Sequence, residues 1–326
     1  MLDLLGIIVG LVFLYYGAEW LVRGASRLAT SFGVSALLIG LTIVAVGTSM
    51  PELVVSILAA ASQNSDIVLG NIIGSNIANI GLILGLSGII APLTIHISLI
   101  RREIPVMIAA TVATLLLVLD GSFSASDGLL FLVGYVVFLV VLYRTDSGID
   151  AQAEQELEAE VSAIEGPPPI NRWLEVGFVV LGLVALVAGA QLLVNGAVNI
   201  ARALGVSELL IGLTLVAVGT SLPELATSTV ASYRGHSDIA VGNVVGSNIA
   251  NLLLILGVTP LINTVNVGGI VVNRDIPVAI FFAVLLMFLV VFPKRRLVRW
   301  EATLLLVAYM AYVVFAFLQD TGGIAG

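Results

Sequence analysis

The chain has 326 residues, of which 59% are hydrophobic and 10% are charged, and its formal net charge is −8. Soluble domains are about half apolar and about one-quarter charged, so this composition excludes an ordinary soluble enzyme and predicts a membrane protein. The chain contains no cysteine, which excludes disulfides, thiolate metal sites and a cysteine nucleophile.

Ten apolar segments follow one another along the chain, five before and five after a polar stretch. A helix needs about 20 apolar residues to cross a bilayer, and these continuous runs differ from the alternating strands of about 10 residues that build a membrane barrel. We therefore predict an all-α membrane protein with ten transmembrane helices. The predicted segments are residues 4–21, 34–61, 67–93, 104–119, 128–143, 176–194, 206–232, 239–262, 276–292 and 298–318.

The polar stretch, residues 144–172, carries seven of the 21 acidic residues and ends in a proline run. Such a composition is typical of a solvated connector, although a calcium-collecting role for the acidic tract is an alternative. We predict an acidic linker between a first five-helix repeat, residues 1–143, and a second one, residues 173–326.

The basic residues predict how the chain is oriented. If the N-terminus lies outside, all of the 13 Lys and Arg residues except Arg202 and Arg274 fall in loops that face the cytoplasm. Positive residues concentrate in short cytoplasmic loops. We therefore expect a protein of the cell (inner) membrane with both termini outside and the acidic linker in the cytoplasm.

The chain contains an internal repeat. Residues 33–79 recur as residues 205–251, with 31 of 47 positions identical. Because each half has an odd number of predicted spans, the second copy must enter the membrane upside down. Inverted repeats are typical of secondary transporters, whose substrate site lies at the midplane between the copies.

One block of the repeat places a carboxylate inside an apolar run. The block reads GTSMPE at residues 47–52 and GTSLPE at residues 219–224. An ionisable side chain in mid-span is costly unless it faces a partner or a cavity, so Glu52 and Glu224 are functional candidates. Two protonated glutamates that only hydrogen-bond inside the bundle are the alternative.

The prolines of this block predict exposed backbone carbonyls. Proline inside a helix removes one N–H and clashes with the carbonyl four residues back, so Pro51 and Pro223 should bend their helices. Carbonyls near Ala45 and Ala217 would then join hydroxyls and carboxylates in an all-oxygen set, which selects hard cations such as Na⁺ and Ca²⁺. The hydroxyls are those of Thr48, Ser49, Thr220 and Ser221.

The other block reads GNIIGSNIAN at residues 70–79 and GNVVGSNIAN at residues 242–251. Residues four apart share a helix face, so Ser75 with Asn79, and Ser247 with Asn251, could complete the oxygen cage. The GxxxG spacings favour close helix packing. The remaining asparagines are interpreted as structural hydrogen-bonding residues: Asn71, Asn76, Asn243 and Asn248.

Together these blocks strongly resemble the alpha-repeats of the calcium/cation antiporter superfamily, specifically its sodium/calcium exchanger branch, over nearly all of the chain outside the linker. The resemblance implies a ten-helix exchanger that moves Ca²⁺ against Na⁺. Matched position by position, the family's ion ligands fall on the side chains of Glu52, Glu224, Asn79, Ser49, Ser221, Ser75, Ser247, Thr48 and Thr220, with backbone carbonyls near Ala45 and Ala217.

One position departs from many members of this superfamily, which have Asp where this chain has Asn251. Potassium-dependent members use Asp at such positions, so two carboxylates without a third favour a potassium-independent exchanger. We keep Asn251 in the metal site. One Ca²⁺ neutralises both glutamates, and exchange for more than two Na⁺, as the family implies, would be electrogenic. We expect a monomer in the bilayer, with no cofactor and no nucleic acid.

The same residues are compatible with other functions. The same site could serve a Ca²⁺/H⁺ antiporter, an antiporter of another divalent cation, or a cation channel. An intramembrane hydrolase is disfavoured because His96 and His236 lie in loops or at span ends and no HExxH motif is present.

For alternating access we expect the first and sixth spans to move, because both contain glycines that permit close sliding, although the same residues could serve packing alone. These glycines are Gly6, Gly10, Gly17, Gly177, Gly182 and Gly189.

Overall fold

The computed structural model describes residues 2–145, 171–204, 217–291 and 295–320. Within them, eight helices are long and apolar enough to cross a membrane, and a bent pair, Ala36–Thr48 with Met50–Ala61, makes a ninth span. The prediction of an all-helical membrane protein is confirmed. The first half of the predicted seventh segment and most of the predicted linker lie outside the described residues, so the tenth span stays a prediction.

The first half of the chain alternates long helices with short irregular pieces. Its elements are α1 (Leu2–Phe32), α2 (Ala36–Ile39), a π-helical segment (Gly40–Val44), α3 (Ala45–Thr48), α4 (Met50–Ala61), α5 (Ser65–Ala78), a π-helical segment (Asn79–Leu84), α6 (Gly85–Ile90), β1 (Leu93–Thr94), a π-helical segment (Leu99–Glu103), α7 (Ile104–Leu117), a 3₁₀ turn (Val118–Asp120), β2 (Ser122–Phe123) and α8 (Ala125–Thr145).

The second half repeats this order. Its described elements are α9 (Arg172–Ala203), α10 (Ala217–Thr220), α11 (Leu222–Tyr233), α12 (Ser237–Ala250), a π-helical segment (Asn251–Ile255), α13 (Leu256–Ile262), β3 (Val265–Asn266), a π-helical segment (Val271–Asp275), α14 (Ile276–Val291), β4 (Arg296–Leu297) and α15 (Arg299–Asp320).

Two small antiparallel sheets join the halves. β1 pairs with β4, with Leu93 opposite Leu297, and β2 pairs with β3, with Ser122 opposite Asn266. One crossing helix, α7, separates β1 from β2, so the two sheets lie at opposite ends of the bundle. We call the end that holds Thr145 and Asn171 the linker face. The first helix of the first half, α1, ends at the linker face, whereas the first helix of the second half, α9, begins there. The second half therefore runs through the bundle upside down relative to the first.

The centre of the bundle is formed by the helices that carry the second block. Buried residues make up 94% of the apolar stretch within Ser237–Ile262 and 72% of that within Ser65–Ile90, against 17% for Arg299–Gln319. Gly242 and Gly246 allow α12 to approach the Gly40–Val44 segment, since an added Cβ on Gly246 would lie 2.6 Å from the Leu41 carbonyl oxygen. The polar residues of this block are therefore held away from lipid.

Helices α1 and α9 pack against each other through bare backbone. A Cβ added to Gly10 would lie 2.7 Å from the carbonyl oxygen of Gly189, and one added to Gly17 would lie 2.9 Å from that of Gly182. At the linker face, Arg27 Nη1 lies 3.0 Å from Glu175 Oε1. Small residues at helix crossings permit such contact in membranes, so the first and sixth spans form one close pair.

Candidate functional site

Glu52 lies at a break in the second span. α3 ends at Thr48, Ser49 has φ −81° and ψ 9°, and α4 leaves at an angle of 46°. The bend predicted at Pro51 is therefore present, and it falls at Ser49, two residues before the proline. Pro51 lies in the first turn of a new helix, where its missing N–H has no helical acceptor to lose. Glu52 shares that turn, where the helix dipole favours negative charge.

The second repeat builds the same break. Ser221 has φ −88° and ψ 8°, and α11 begins directly after it with Pro223 and Glu224 in its first turn. Both glutamates are only 1% exposed. The two halves therefore bury one carboxylate each at the start of a helix that begins inside the bundle.

Each carboxylate is held by a hydroxyl from the other repeat. Ser49 Oγ donates to Glu224 Oε1 at 2.9 Å, and Ser221 Oγ donates to Glu52 Oε1 at 3.1 Å. Ser221 Oγ also lies 3.3 Å from Ser75 Oγ. The residues of the first block thus meet across the repeat interface.

The predicted oxygen donors of the second block point to the same region. Ser75 and Ser247 lie one turn before Asn79 and Asn251, and all four side chains are buried. At both asparagines the α-helix changes to a π-helical segment. Such π segments are frequent at functional sites. They were not predicted from the sequence.

Two further asparagines connect the blocks. Asn71 Nδ2 donates to the backbone carbonyl of Glu52 at 3.0 Å, and Asn243 Nδ2 donates to that of Glu224 at 3.4 Å. Thr48 Oγ1 lies 3.0 Å from Asn243 Oδ1. The equivalent contact of the other repeat joins Thr220 Oγ1 and Asn71 Oδ1, which are 3.5 Å apart. The interpretation of Asn71 and Asn243 as structural residues agrees with these contacts.

The structure describes the contacts of one of the two predicted carbonyl ligands, that of Ala45. The Ala45 carbonyl accepts hydrogen bonds from the Ser49 N–H, the Thr48 hydroxyl at 3.2 Å and the Ser247 hydroxyl at 3.3 Å. It lies at the site, where these three neighbours engage it. Ala217 begins α10 directly after the residues outside the description, so its expected role stays a prediction.

Four buried oxygens of the site have no hydrogen-bond donor among the described residues. They are Glu52 Oε2, Glu224 Oε2, Asn79 Oδ1 and Asn251 Oδ1. A buried acceptor without a partner costs about 1–3 kcal/mol. A carboxylate and an amide carbonyl oxygen can only accept, so these atoms cannot satisfy one another. The arrangement is suited to a cation.

The chemistry of this site is limited to oxygen. Within the described ranges, no group of three or more His, Asp and Glu side chains is placed to hold a metal ion. Hydroxyl and amide oxygens around two carboxylates therefore make up the donor set, which is the type that hard cations prefer.

Asn76 and Asn248, interpreted from the sequence as structural hydrogen-bonding residues, have partners that the sequence did not predict. They contact each other and the two predicted asparagine ligands across the repeat interface. Their recurrence at the same place in both halves, inside apolar segments, was the available signal. It could not show which partner each amide contacts.

Comparison with known proteins agrees with this geometry. The profile of the sodium/calcium exchanger protein family matches residues 2–144 and 174–318. Sodium/calcium exchanger MaX1 of Methanosarcina acetivorans is 34% identical over 95% of this chain and 97% of that protein. Inner membrane protein YrbG of Escherichia coli is 38% identical, with 86% of each chain covered.

The fold also has a counterpart among solved structures. A structure of the sodium-calcium exchanger NCX_Mj, soaked with Na⁺ and Ca²⁺, matches with a TM-score of 0.83 and 34% identity over 96% of this chain and 98% of that chain. Another structure of that exchanger was soaked with Na⁺ and Sr²⁺. The match covers both repeats.

Proposed function

The chain belongs to the sodium/calcium exchanger family and is therefore a secondary transporter, a cation antiporter of the membrane, and from this premise we propose that it exchanges Na⁺ for Ca²⁺ by alternating access. The proposed ligands are the ten side chains that the sequence predicts and the backbone carbonyls near Ala45 and Ala217. The side chains are those of Thr48, Ser49, Glu52, Ser75, Asn79, Thr220, Ser221, Glu224, Ser247 and Asn251. MaX1 and NCX_Mj, which are named as exchangers of these ions, support the choice of ions.

The observation that carries this proposal is the set of four unpartnered oxygens on Glu52, Glu224, Asn79 and Asn251. Each repeat contributes one carboxylate and one amide oxygen to it. Oxygen donors of this kind bind Ca²⁺ at 2.3–2.6 Å in flexible geometry. A site shared equally by two inverted halves is also where a transporter would alternate between the two sides.

Competition at the two carboxylates explains antiport. One Ca²⁺ neutralises Glu52 and Glu224, and two Na⁺ would do the same. Binding of either ion at these carboxylates therefore excludes the other. If a third Na⁺ moves with them, each cycle carries one net charge. Exchange is then electrogenic, and a membrane potential contributes about 2.3 kcal/mol per 100 mV for that charge.

The pair of asparagines at the site favours potassium independence. Asn79 and Asn251 supply neutral oxygens, so the site carries the charge of two carboxylates and lacks a third for K⁺. We expect Ca²⁺ uptake into proteoliposomes to proceed at the same rate when K⁺ is replaced by choline. Uptake that required K⁺ would contradict this assignment.

Alternating access would move α1 and α9 together against the rest of the bundle. The backbone contacts at Gly10 and Gly17, and the ion pair of Arg27 with Glu175, hold these helices to each other. Both helices also contact the broken second and seventh spans that carry the glutamates. A shift of the pair would therefore open the site to one side or the other.

The repeats and the orientation are part of the proposal. We infer that residues 1–143 and 173–326 form the two repeats and that residues 144–172 form a cytoplasmic linker. The linker face would then be cytoplasmic, and both termini would lie outside. The similarity to the inner membrane protein YrbG supports a cell-membrane location.

Ion flux into proteoliposomes tests the function. Vesicles loaded with Na⁺ should take up radioactive Ca²⁺ when diluted into Na⁺-free medium, and uptake should increase with an inside-positive potential for a 3:1 exchange. E52Q and E224Q should each abolish uptake because they remove one of the two charges. Ca²⁺ uptake that ignores the Na⁺ gradient would contradict the proposal, as would full activity in both variants.

Proton coupling is the second candidate, because an unpartnered carboxylate oxygen can also be satisfied by a proton. The same vesicles distinguish the two. Ca²⁺ uptake that follows a pH gradient and persists without Na⁺ would establish Ca²⁺/H⁺ exchange. A cation channel would show flux that neither saturates nor requires a counter-ion.

A further inference from the structure

Asn76 and Asn248 form a reciprocal contact where α5 and α12 cross. Asn76 Nδ2 donates to the backbone carbonyl of Asn248 at 3.3 Å, and Asn248 Nδ2 donates to the backbone carbonyl of Asn76 at 3.3 Å. Both side chains are buried. Asn248 Nδ2 is also 3.4 Å from Met107 Sδ on α7.

The carbonyl oxygens of these two amides hold the neighbouring asparagines. Asn79 Nδ2 donates to Asn248 Oδ1 at 2.9 Å, and Asn251 Nδ2 donates to Asn76 Oδ1 at 3.0 Å. Asn79 and Asn251 are thus each bound by an asparagine of the opposite repeat.

The direction of every amide in this group follows from the backbone. A backbone carbonyl can only accept, so Asn76 and Asn248 must present their Nδ2 atoms to it. Their Oδ1 atoms then face Asn251 and Asn79, which must donate. The Oδ1 atoms of Asn79 and Asn251 are consequently left unpartnered in the buried site.

We propose that Asn76 and Asn248 are positioning residues that set the amide orientation of Asn251 and Asn79, so that both amide oxygens face the transported cation. This inference rests on the proposed function. Without its partner, an amide can rotate by half a turn and present its NH₂ group, which repels a cation. The cross-repeat arrangement also makes each half of the site depend on the other half.

Double variants with matched charge test this pairing. N248A removes the orienting group of Asn79 and should raise the half-saturating Ca²⁺ concentration about 10- to 100-fold, the usual cost of losing a group that orients a metal ligand. A carboxylate offers an oxygen in either orientation. N248A/N79D should therefore recover most of the lost affinity.

N248A/N251D is the matched control. It adds the same negative charge, but at the asparagine that Asn76 orients, so Asn79 stays unoriented and affinity should remain low. The inverted set must behave in the opposite way: N76A/N251D should recover and N76A/N79D should not. This second set also decides the matter if N248A does not yield folded protein, as judged by its thermal melting temperature.

Equal Ca²⁺ affinity of N248A/N79D and N248A/N251D would overturn the inference, because added charge alone would then explain any recovery. Unchanged affinity in folded N248A and N76A would also overturn it. E52Q, assayed in parallel, distinguishes a failure of the proposed cation site from a failure of the orienting role alone. If E52Q transports Ca²⁺ normally, the cation site itself is wrong; if E52Q is inactive and the doubles are equal, only the orienting role fails.

Discussion

At the residue scale, the carboxylates are stabilised by groups that belong to the opposite repeat. Ser49 holds Glu224 and Ser221 holds Glu52, each through a single carboxylate oxygen. The second oxygen of each glutamate has no donor among the described residues. Each serine therefore engages one carboxylate oxygen and leaves the other without a donor, and under the proposed function that second oxygen would bind the cation.

Removing either serine hydroxyl should weaken Ca²⁺ binding. A hydrogen bond to a charged group contributes about 1.5–3 kcal/mol, and about 1.4 kcal/mol corresponds to a tenfold change in affinity. We expect S49A and S221A each to raise the half-saturating Ca²⁺ concentration at least tenfold in vesicle flux. T229V is the control, since among the described residues Thr229 Oγ1 bonds only the Leu225 and Ala226 carbonyls of its own helix. Wild-type affinity in both serine variants would contradict the assignment.

The sequence was sufficient to single out Glu52 and Glu224 as candidates, because a carboxylate inside an apolar run is costly and the repeat supplied two copies, and the structure buries both of them. It was not sufficient to predict the hydrogen-bond partners of Asn76 and Asn248, on which their proposed orienting role rests. That role depends on where α5 and α12 cross, and residue spacing along one helix carries no information on the partner helix.

At the element scale, the site exists because helices break or change pitch at its residues. The second span breaks at Ser49, and the third changes to a π-helical segment at Asn79. Proline was correctly interpreted as a disruption, but its position in a first turn required knowledge of where the new helix begins. The change of pitch at Asn79 leaves no signature in composition.

The contact between α1 and α9 gives a prediction for glycine. G10A would add a Cβ 2.7 Å from the Gly189 carbonyl oxygen, so the helices must separate. We expect a lower melting temperature and slower Ca²⁺ exchange. G177A is the matched control on α9, where no described atom lies within 4 Å of the added Cβ and alanine favours the helix.

If G10A and G177A had the same melting temperature and exchange rate, the close contact of α1 with α9 would not contribute to function. Slower exchange in G10A at an unchanged melting temperature would instead locate the effect in the movement of the pair.

At the scale of the whole molecule, the inverted repeat would let one site serve both sides of the membrane, as the proposed function requires. The two sheets, β1 with β4 and β2 with β3, each take one strand from either half and lie at opposite ends of the bundle. The sequence predicted this inversion from an odd number of spans in each half. The net acidity concentrates in the linker, so the transmembrane bundle is nearly neutral apart from its two central carboxylates.

The absence of cysteine from the chain allows a direct test of orientation. S162C, in the linker, should react with a membrane-impermeant maleimide only after cells are permeabilised. S62C is the matched variant, because Ser62 is exposed at the end of α4 on the face opposite to the linker. It should react in spheroplasts that are intact. The reverse pattern would place the linker outside.

The central claim is that Na⁺ and Ca²⁺ compete for the oxygens of Glu52, Glu224, Asn79 and Asn251. Equilibrium binding of radioactive Ca²⁺ to the purified protein, repeated over a range of Na⁺ concentrations, tests it most directly. We predict that Na⁺ displaces Ca²⁺ cooperatively and that E52Q and E224Q no longer bind Ca²⁺. Ca²⁺ binding that is unaffected by Na⁺, or that persists in both variants, would contradict the account.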